Sequence, residues 1–410
     1  MKINTGFWIK FSLINLFLVA LLGTYLRLKI SVELPLVQKN ILHAHSHFAF
    51  SGWLGHALMV LLIYAVKSKL LAFSQQKYNL LIGANLICAY GMLISFLYQG
   101  YGAISISFST LSIFVFYVFA YVFYKDTKHL KQNLAIKWFH GALLFGVLSS
   151  IGTFFLAYTL TTKNINFDAY LASIYFYLHF QYNGWFLFAC IGLFFSVFKF
   201  SDKLLRHSTI YFYMLLVSTF ITYVLSVLWL NVSQTIYWIT AVFALLQLNV
   251  WLRLQNIFLR NYKNEIKSDP LFLKIVLLLV AICVTLKFVL QFLLIIPSLA
   301  EIVFGIRSIV IAFLHLVLLG IISLFILYYV FAYNQRIITV TKFTRFAILF
   351  FVVAVFMNEL FLALQGFYGF RKRIFPNVNE LLLAAAFLLL TSAALLAVSV
   401  LLKRKSINEQ

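Results

Sequence analysis

The sequence predicts an all-α, polytopic membrane protein of about twelve transmembrane helices with almost no soluble portion. Three observations carry that prediction. Of 410 residues, 64% are hydrophobic and 10% charged, and the mean hydropathy is +0.99, whereas a soluble domain carries roughly 25% charged residues. The chain divides into apolar runs of the ~20 residues that cross a hydrocarbon core. Those runs do not alternate polar and apolar positions as the strands of a membrane β-barrel do.

The runs lie near 7–28, 42–66, 79–98, 102–124, 136–160, 173–197, 208–229, 233–252, 271–296, 308–333, 344–366 and 378–402, and are numbered helices 1 to 12. Helix 1 follows Lys2 and so begins like a secretory signal. Its length, its lack of a small-residue cleavage site and the Arg27 and Lys29 beyond it mark it as a membrane helix. Helix 2 holds His43, His45, His47 and His56. Cys88, Cys190 and Cys283 each fall inside a span, as packing residues rather than a disulfide framework. Pro35, Pro270, Pro297 and Pro376 fall in or beside connections, where a helix can end without losing internal hydrogen bonds. No Gly-, Pro- or Ser-rich linker separates a second unit, so residues 1–410 form one transmembrane domain.

The net charge of +22 is distributed for a bilayer and not for nucleic acid. Basic residues crowd the even-numbered connections: Lys67, Lys69 and Lys77; Lys125, Lys128, Lys131 and Lys137; Lys199, Lys203 and Arg206; Arg253, Arg260, Lys263, Lys267 and Lys274; Arg336, Lys342 and Arg345; Lys403, Arg404 and Lys405. The odd connections hold little beyond Arg27, Lys29, Lys39, Lys163 and Arg307. By the positive-inside rule both termini are cytoplasmic, in a multi-pass protein of the inner membrane. Arg371, Lys372 and Arg373, in the odd connection between helices 11 and 12, break the pattern and call for a partner on the outer side.

An internal repeat is the most informative feature. Helix 2 reads His47-Phe-Ala-Phe-Ser-Gly52, helix 6 His179-Phe-Gln-Tyr-Asn-Gly184 and helix 10 His315-Leu-Val-Leu-Leu-Gly320, with the histidines 132 and then 136 residues apart. Each copy sits in the second helix of a four-helix block, which divides the chain into units of approximately 1–135, 136–270 and 271–410. All three histidines fall at similar depth in the outer leaflet, where an ionisable residue is a functional-site candidate because lipid supplies no hydrogen-bond partner. Facing imidazoles suit the axial positions of a haem iron, and a nearby glycine lets a helix or a porphyrin pack alongside. The bland alternative is close helix packing with each histidine hydrogen-bonded across an interface. Within helix 2, His43 and His47 share a face one turn apart and His45 projects from another. The repeat selects His47, with His43 as its neighbour or substitute and His45 as the second candidate.

Twelve helices, three pseudo-repeated arcs and histidines on helices 2, 6 and 10 resemble the catalytic subunit of the haem-copper oxidase superfamily. The resemblance implies a low-spin haem on His47 and His315, with Gly52 and Gly320 beside it, and copper on His179. It also implies that Arg371 and Arg373, in Arg371-Lys372-Arg373-Ile-Phe375-Pro376, pair with haem propionates. The sequence departs from the family on helix 7, which lacks the two histidines that complete the copper site, on helix 6, where Asn183 replaces a tyrosine, and on helix 10, which has one histidine. A complete oxygen-reducing centre is therefore not expected, and the histidine pattern is also similar to that of NnrS-like haem- and copper-containing membrane proteins. The resulting expectation is electron transfer or handling of a small gas such as nitric oxide or oxygen, with an electron-donor protein or quinol as partner. The alternatives are a cofactor-free transporter or channel with proton-relaying histidines, and a degenerate structural or assembly protein. Lys287 and Glu359, at similar depth, are expected to neutralise one another.

Overall fold

Among the described residues every regular element is helical and no strand occurs. The computed structural model describes residues 5–162, 166–198, 201–261, 269–333 and 340–402. Lys2, Lys163, Lys199, Lys263, Lys267, Arg336, Lys403, Arg404 and Lys405, named above, lie outside the described residues. Eleven of the described helices are long and apolar enough to cross a membrane. They are helix 1 (Thr5–Ser31), helix 2 (Gln38–Lys69), helix 3 (Gln75–Gln99), helix 4 (Ala103–Leu130), helix 5 (Leu134–Thr159), helix 7 (Leu204–Val227), helix 8 (Gln234–Asn261), helix 9 (Leu271–Leu293), helix 10 (Arg307–Tyr333), helix 11 (Lys342–Phe370) and helix 12 (Val378–Leu401). Helix 6 spans 167–196 and fills the remaining predicted run, its apolar character interrupted by His179, Gln181 and Asn183.

Several helix ends have a visible cause. Ser74, Asn133, Asn166 and Thr341 are N-caps whose side chains accept from the first free backbone N–H groups. Helix 9 stops at Leu293, three residues before its predicted end, because Pro297 opens a separate short helix, Pro297–Gly305. Helix 11 ends with Lys372 in the left-handed region, at φ 53°, and Arg373 N–H donating back to the Tyr368 carbonyl.

Consecutive helices pack side by side, and helix 12 returns to lie against helix 1, where the Thr24 hydroxyl donates to the Ala386 carbonyl over 2.9 Å. Helices 2, 6 and 10 meet one another inside that ring. Their second halves, His56–Val66, Leu187–Ser196 and Leu324–Tyr333, are buried along nearly their whole length. Burial separates centre from rim: 67% of the apolar window of helix 2 is inside the protein, against 17% for helix 4. Rim helices instead expose Leu80, Ile87, Tyr121, Val242 and Leu278, a surface that is stable in hydrocarbon and not in water.

The three central helices share a backbone feature at the repeat. Each leaves α geometry just after its histidine, for π segments Ala49–Gly55, Phe180–Phe186 and Leu316–Ser323, and each segment contains the repeat glycine. A π turn bonds residue i to i+5, the histidine-to-glycine spacing. In lipid every backbone group must find an internal partner, so a wider turn is tolerated where it is buried in protein. Gly52, Gly184 and Gly320 are all buried there.

Candidate functional site

The repeat histidines do not share one environment. His47 turns toward helix 3: its ring stacks on Phe96 with centroids 4.4 Å apart, and Nε2 lies 3.1 Å from the Tyr101 hydroxyl. His43 follows it, edge-on to Tyr101 at 4.5 Å, with a buried Nε2 that has no hydrogen-bond partner among the described residues. His45 projects the other way, toward helices 1 and 10. Its Nδ1 lies 3.1 Å from the Val19 carbonyl, and it is close enough to His315 for charges on the two rings to interact.

His315 is held in the same manner. Its Nδ1 is 2.9 Å from the Ile311 carbonyl, one turn back on helix 10. A carbonyl oxygen only accepts, so in both residues Nδ1 carries the proton and the lone pair is on Nε2, the tautomer a metal-ligating imidazole adopts. Among the described residues neither Nε2 makes a hydrogen bond. Gly23 on helix 1 gives His45 its room, since a Cβ there would stand 3.2 Å from the His45 Cε1. Arg27, one turn further along helix 1, is within electrostatic reach of His315. His45, His315 and Arg27 thus fall in one neighbourhood, where the repeat alone favours His47.

His179 is a saturated core histidine. Nε2 donates to the Thr219 carbonyl over 2.9 Å, while Nδ1 is 3.2 Å from the Ser226 hydroxyl and 3.1 Å from the Asn183 amide nitrogen. Both ring nitrogens are committed to helices 6 and 7. The network continues from the Thr219 hydroxyl to Gln247 and on to Gln291, which ties helix 7 to helices 8 and 9. No three His, Cys, Asp or Glu side chains among the described residues converge as a metal site.

The glycines of the repeat make room for protein side chains. A Cβ on Gly52 would come within 2.6 Å of the Phe48 ring, one on Gly184 within 2.4 Å of Phe145, and one on Gly320 within 3.2 Å of the Cys283 sulfur. His56 is fully buried and packs edge-on to Trp8. Neither of its buried ring nitrogens makes a hydrogen bond among the described residues, and the Trp8 backbone is a polar neighbour.

Arg371, Lys372 and Arg373 are all exposed, and the Arg371 guanidinium lies 4.8 Å over the Phe367 ring. The expected Lys287–Glu359 pair does not form. Lys287 is 1% exposed, with no hydrogen-bond partner for Nζ among the described residues; Nζ sits 3.9 Å over the Phe288 ring, while Glu359 accepts from Asn358. Arg27 escaped sequence reasoning because it looks like a flanking interfacial charge; the available signal was its position one turn after Gly23. No protein-family model and no curated protein matches the chain.

Proposed function

We propose that the protein is a haem-binding integral protein of the cytoplasmic membrane, serving electron transfer or the handling of a small gas such as nitric oxide or oxygen. Its plan is three four-helix arcs with both termini inside, as in the haem-copper oxidases. The π segment shared by helices 2, 6 and 10 supports the arcs. The charge of the connections supports the orientation.

The observation that carries the reading is the His45–His315 pair. Two imidazoles on facing helices, each presenting a lone pair at Nε2, are the donor set of a bis-histidine haem. When bound, haem supplies a one-electron couple. The chain's own part is to hold the rings: the Val19 and Ile311 carbonyls fix Nδ1, Gly23 leaves clearance, and Arg27 supplies a cation suited to a propionate. Copper does not fit the residues described, because both His179 ring nitrogens are hydrogen-bonded and no group of three metal-ligating side chains forms among them. A quinol or an electron-donor protein is the proposed partner.

The test is absorbance and iron content of the full-length protein purified after expression with ample haem supply. A Soret band with stoichiometric iron is expected. Protein that contains neither ends this reading.

A further inference from the structure

A cavity that none of the repeat histidines lines lies at the end of the molecule where helix 7 starts and helix 8 finishes. It measures about 470 Å³. Two facing stripes line it: Leu204, His207 and Tyr211 from helix 7, and Arg253, Asn256 and Arg260 from helix 8. Both stripes run at spacings of three and four residues, which keep a helix on one face. Two guanidinium groups, two turns apart on helix 8, therefore line one cleft.

Among the described residues no carboxylate lines that cleft, and neither arginine takes part in an ion pair. The Arg253 Nε donates to Asn249 over 2.8 Å, which fixes the plane of the guanidinium and leaves its terminal nitrogens for a ligand. A planar fork of N–H donors matches phosphate oxygens in a bidentate manner. Asn256 adds a neutral donor, and Leu204 adds an apolar wall toward the membrane.

We propose that this cleft binds a phosphate-bearing anion, and that its occupant is the headgroup of an anionic phospholipid. Position favours lipid over a soluble phosphate, because the cleft opens at the end of two membrane-crossing helices, where basic pockets meet headgroups. The proposal does not depend on the haem reading.

The test uses the full-length protein in nanodiscs, with native mass spectrometry to count retained lipid. Wild type should hold phosphatidylglycerol in preference to phosphatidylcholine. Arg253→Gln with Arg260→Gln should reduce that retention by about tenfold or more, since a charge-assisted contact contributes roughly 1.5–3 kcal/mol. Lys128→Gln with Lys131→Gln removes two exposed charges elsewhere on the same face and should leave retention unchanged, which separates a site from general attraction to the membrane. Restored binding in Arg253→Lys with Arg260→Lys supports a charge role over misfolding. Displacement of the lipid by millimolar inorganic phosphate would reassign the occupant to a soluble phosphate and overturn the lipid assignment. Equal retention by the two double-glutamine variants, or no headgroup preference in wild type, overturns the site.

Discussion

His45 and His315 lie within reach of each other's charge across helices 2 and 10, each with Nδ1 held by a main-chain carbonyl, from Val19 and Ile311. The two rings are thereby oriented by backbone, which no side-chain substitution at their neighbours removes. His47, the residue singled out by the repeat, is engaged instead with Phe96 on helix 3 and Tyr101 in the connection that follows it.

His179 is expected to be structural. Its removal leaves the Thr219 carbonyl and the Asn183 amide short of partners in a buried site, a loss of about 1–3 kcal/mol. His179→Ala should therefore lower the melting temperature in detergent while leaving the proposed low-spin haem spectrum intact. A normal melting temperature with a lost spectrum would reverse that assignment.

Lys287 is a buried amine with no anionic partner among the described residues. Placing an apolar side chain of similar length there, Lys287→Met, should stabilise the protein by on the order of 1–3 kcal/mol, because the desolvation penalty disappears and no pairing is lost. Thermal unfolding decides it. A destabilised Lys287→Met protein would mean that the amine has an essential partner.

Asp269, in the connection before helix 9, donates nothing and accepts from the Tyr328 phenol over 3.0 Å. Burial holds its carboxyl above the usual range, while Tyr328 and Lys274 pull it partway back. The folded protein then binds this proton more tightly than the unfolded chain does. Its contribution is full below the ordinary value near about 4 and is lost as pH rises through the folded value. Asp269→Asn keeps an acceptor for Tyr328 and removes the ionisation, so melting temperatures should fall less between about pH 4 and 7 than in wild type. An unchanged pH slope would show that Asp269 does not contribute it.

Arg27 is the cation beside the candidate haem ligands, whereas Arg371 and Arg373 are exposed. Removing a fixed positive charge favours the ferric state, so Arg27→Gln should lower the midpoint potential more than Arg371→Gln with Arg373→Gln does. A redox titration in one detergent and salt compares them. A larger shift in the double variant would return the propionate role to the connection between helices 11 and 12.

Much of the membrane plan was legible because hydrophobic length is read directly from the sequence: all twelve apolar runs fall on helices. The histidine-glycine repeat was legible too, but not its meaning. Five residues subtend about 140° on an α-helix, and nothing in the composition announced that the backbone widens to a π turn at this spacing in all three copies. Azimuth was the general blind spot. Two residues of register set His45 and His47 about 160° apart around the helix axis, so their common depth does not decide which of them turns toward helix 10. The Lys287–Glu359 pairing likewise rested on depth alone. His179 looked like a ligand because its partners Thr219 and Ser226 come from helix 7, far along the chain, and a hydrogen-bonded core histidine has no distinguishing sequence.

Whether His45 and His315 together would hold one haem is read most directly in the low-spin absorbance spectrum of three single variants, His45→Ala, His47→Ala and His315→Ala. Loss of the low-spin spectrum is expected in His45→Ala and in His315→Ala, with retention in His47→Ala. Loss in His47→Ala with retention in His45→Ala would overturn the assignment.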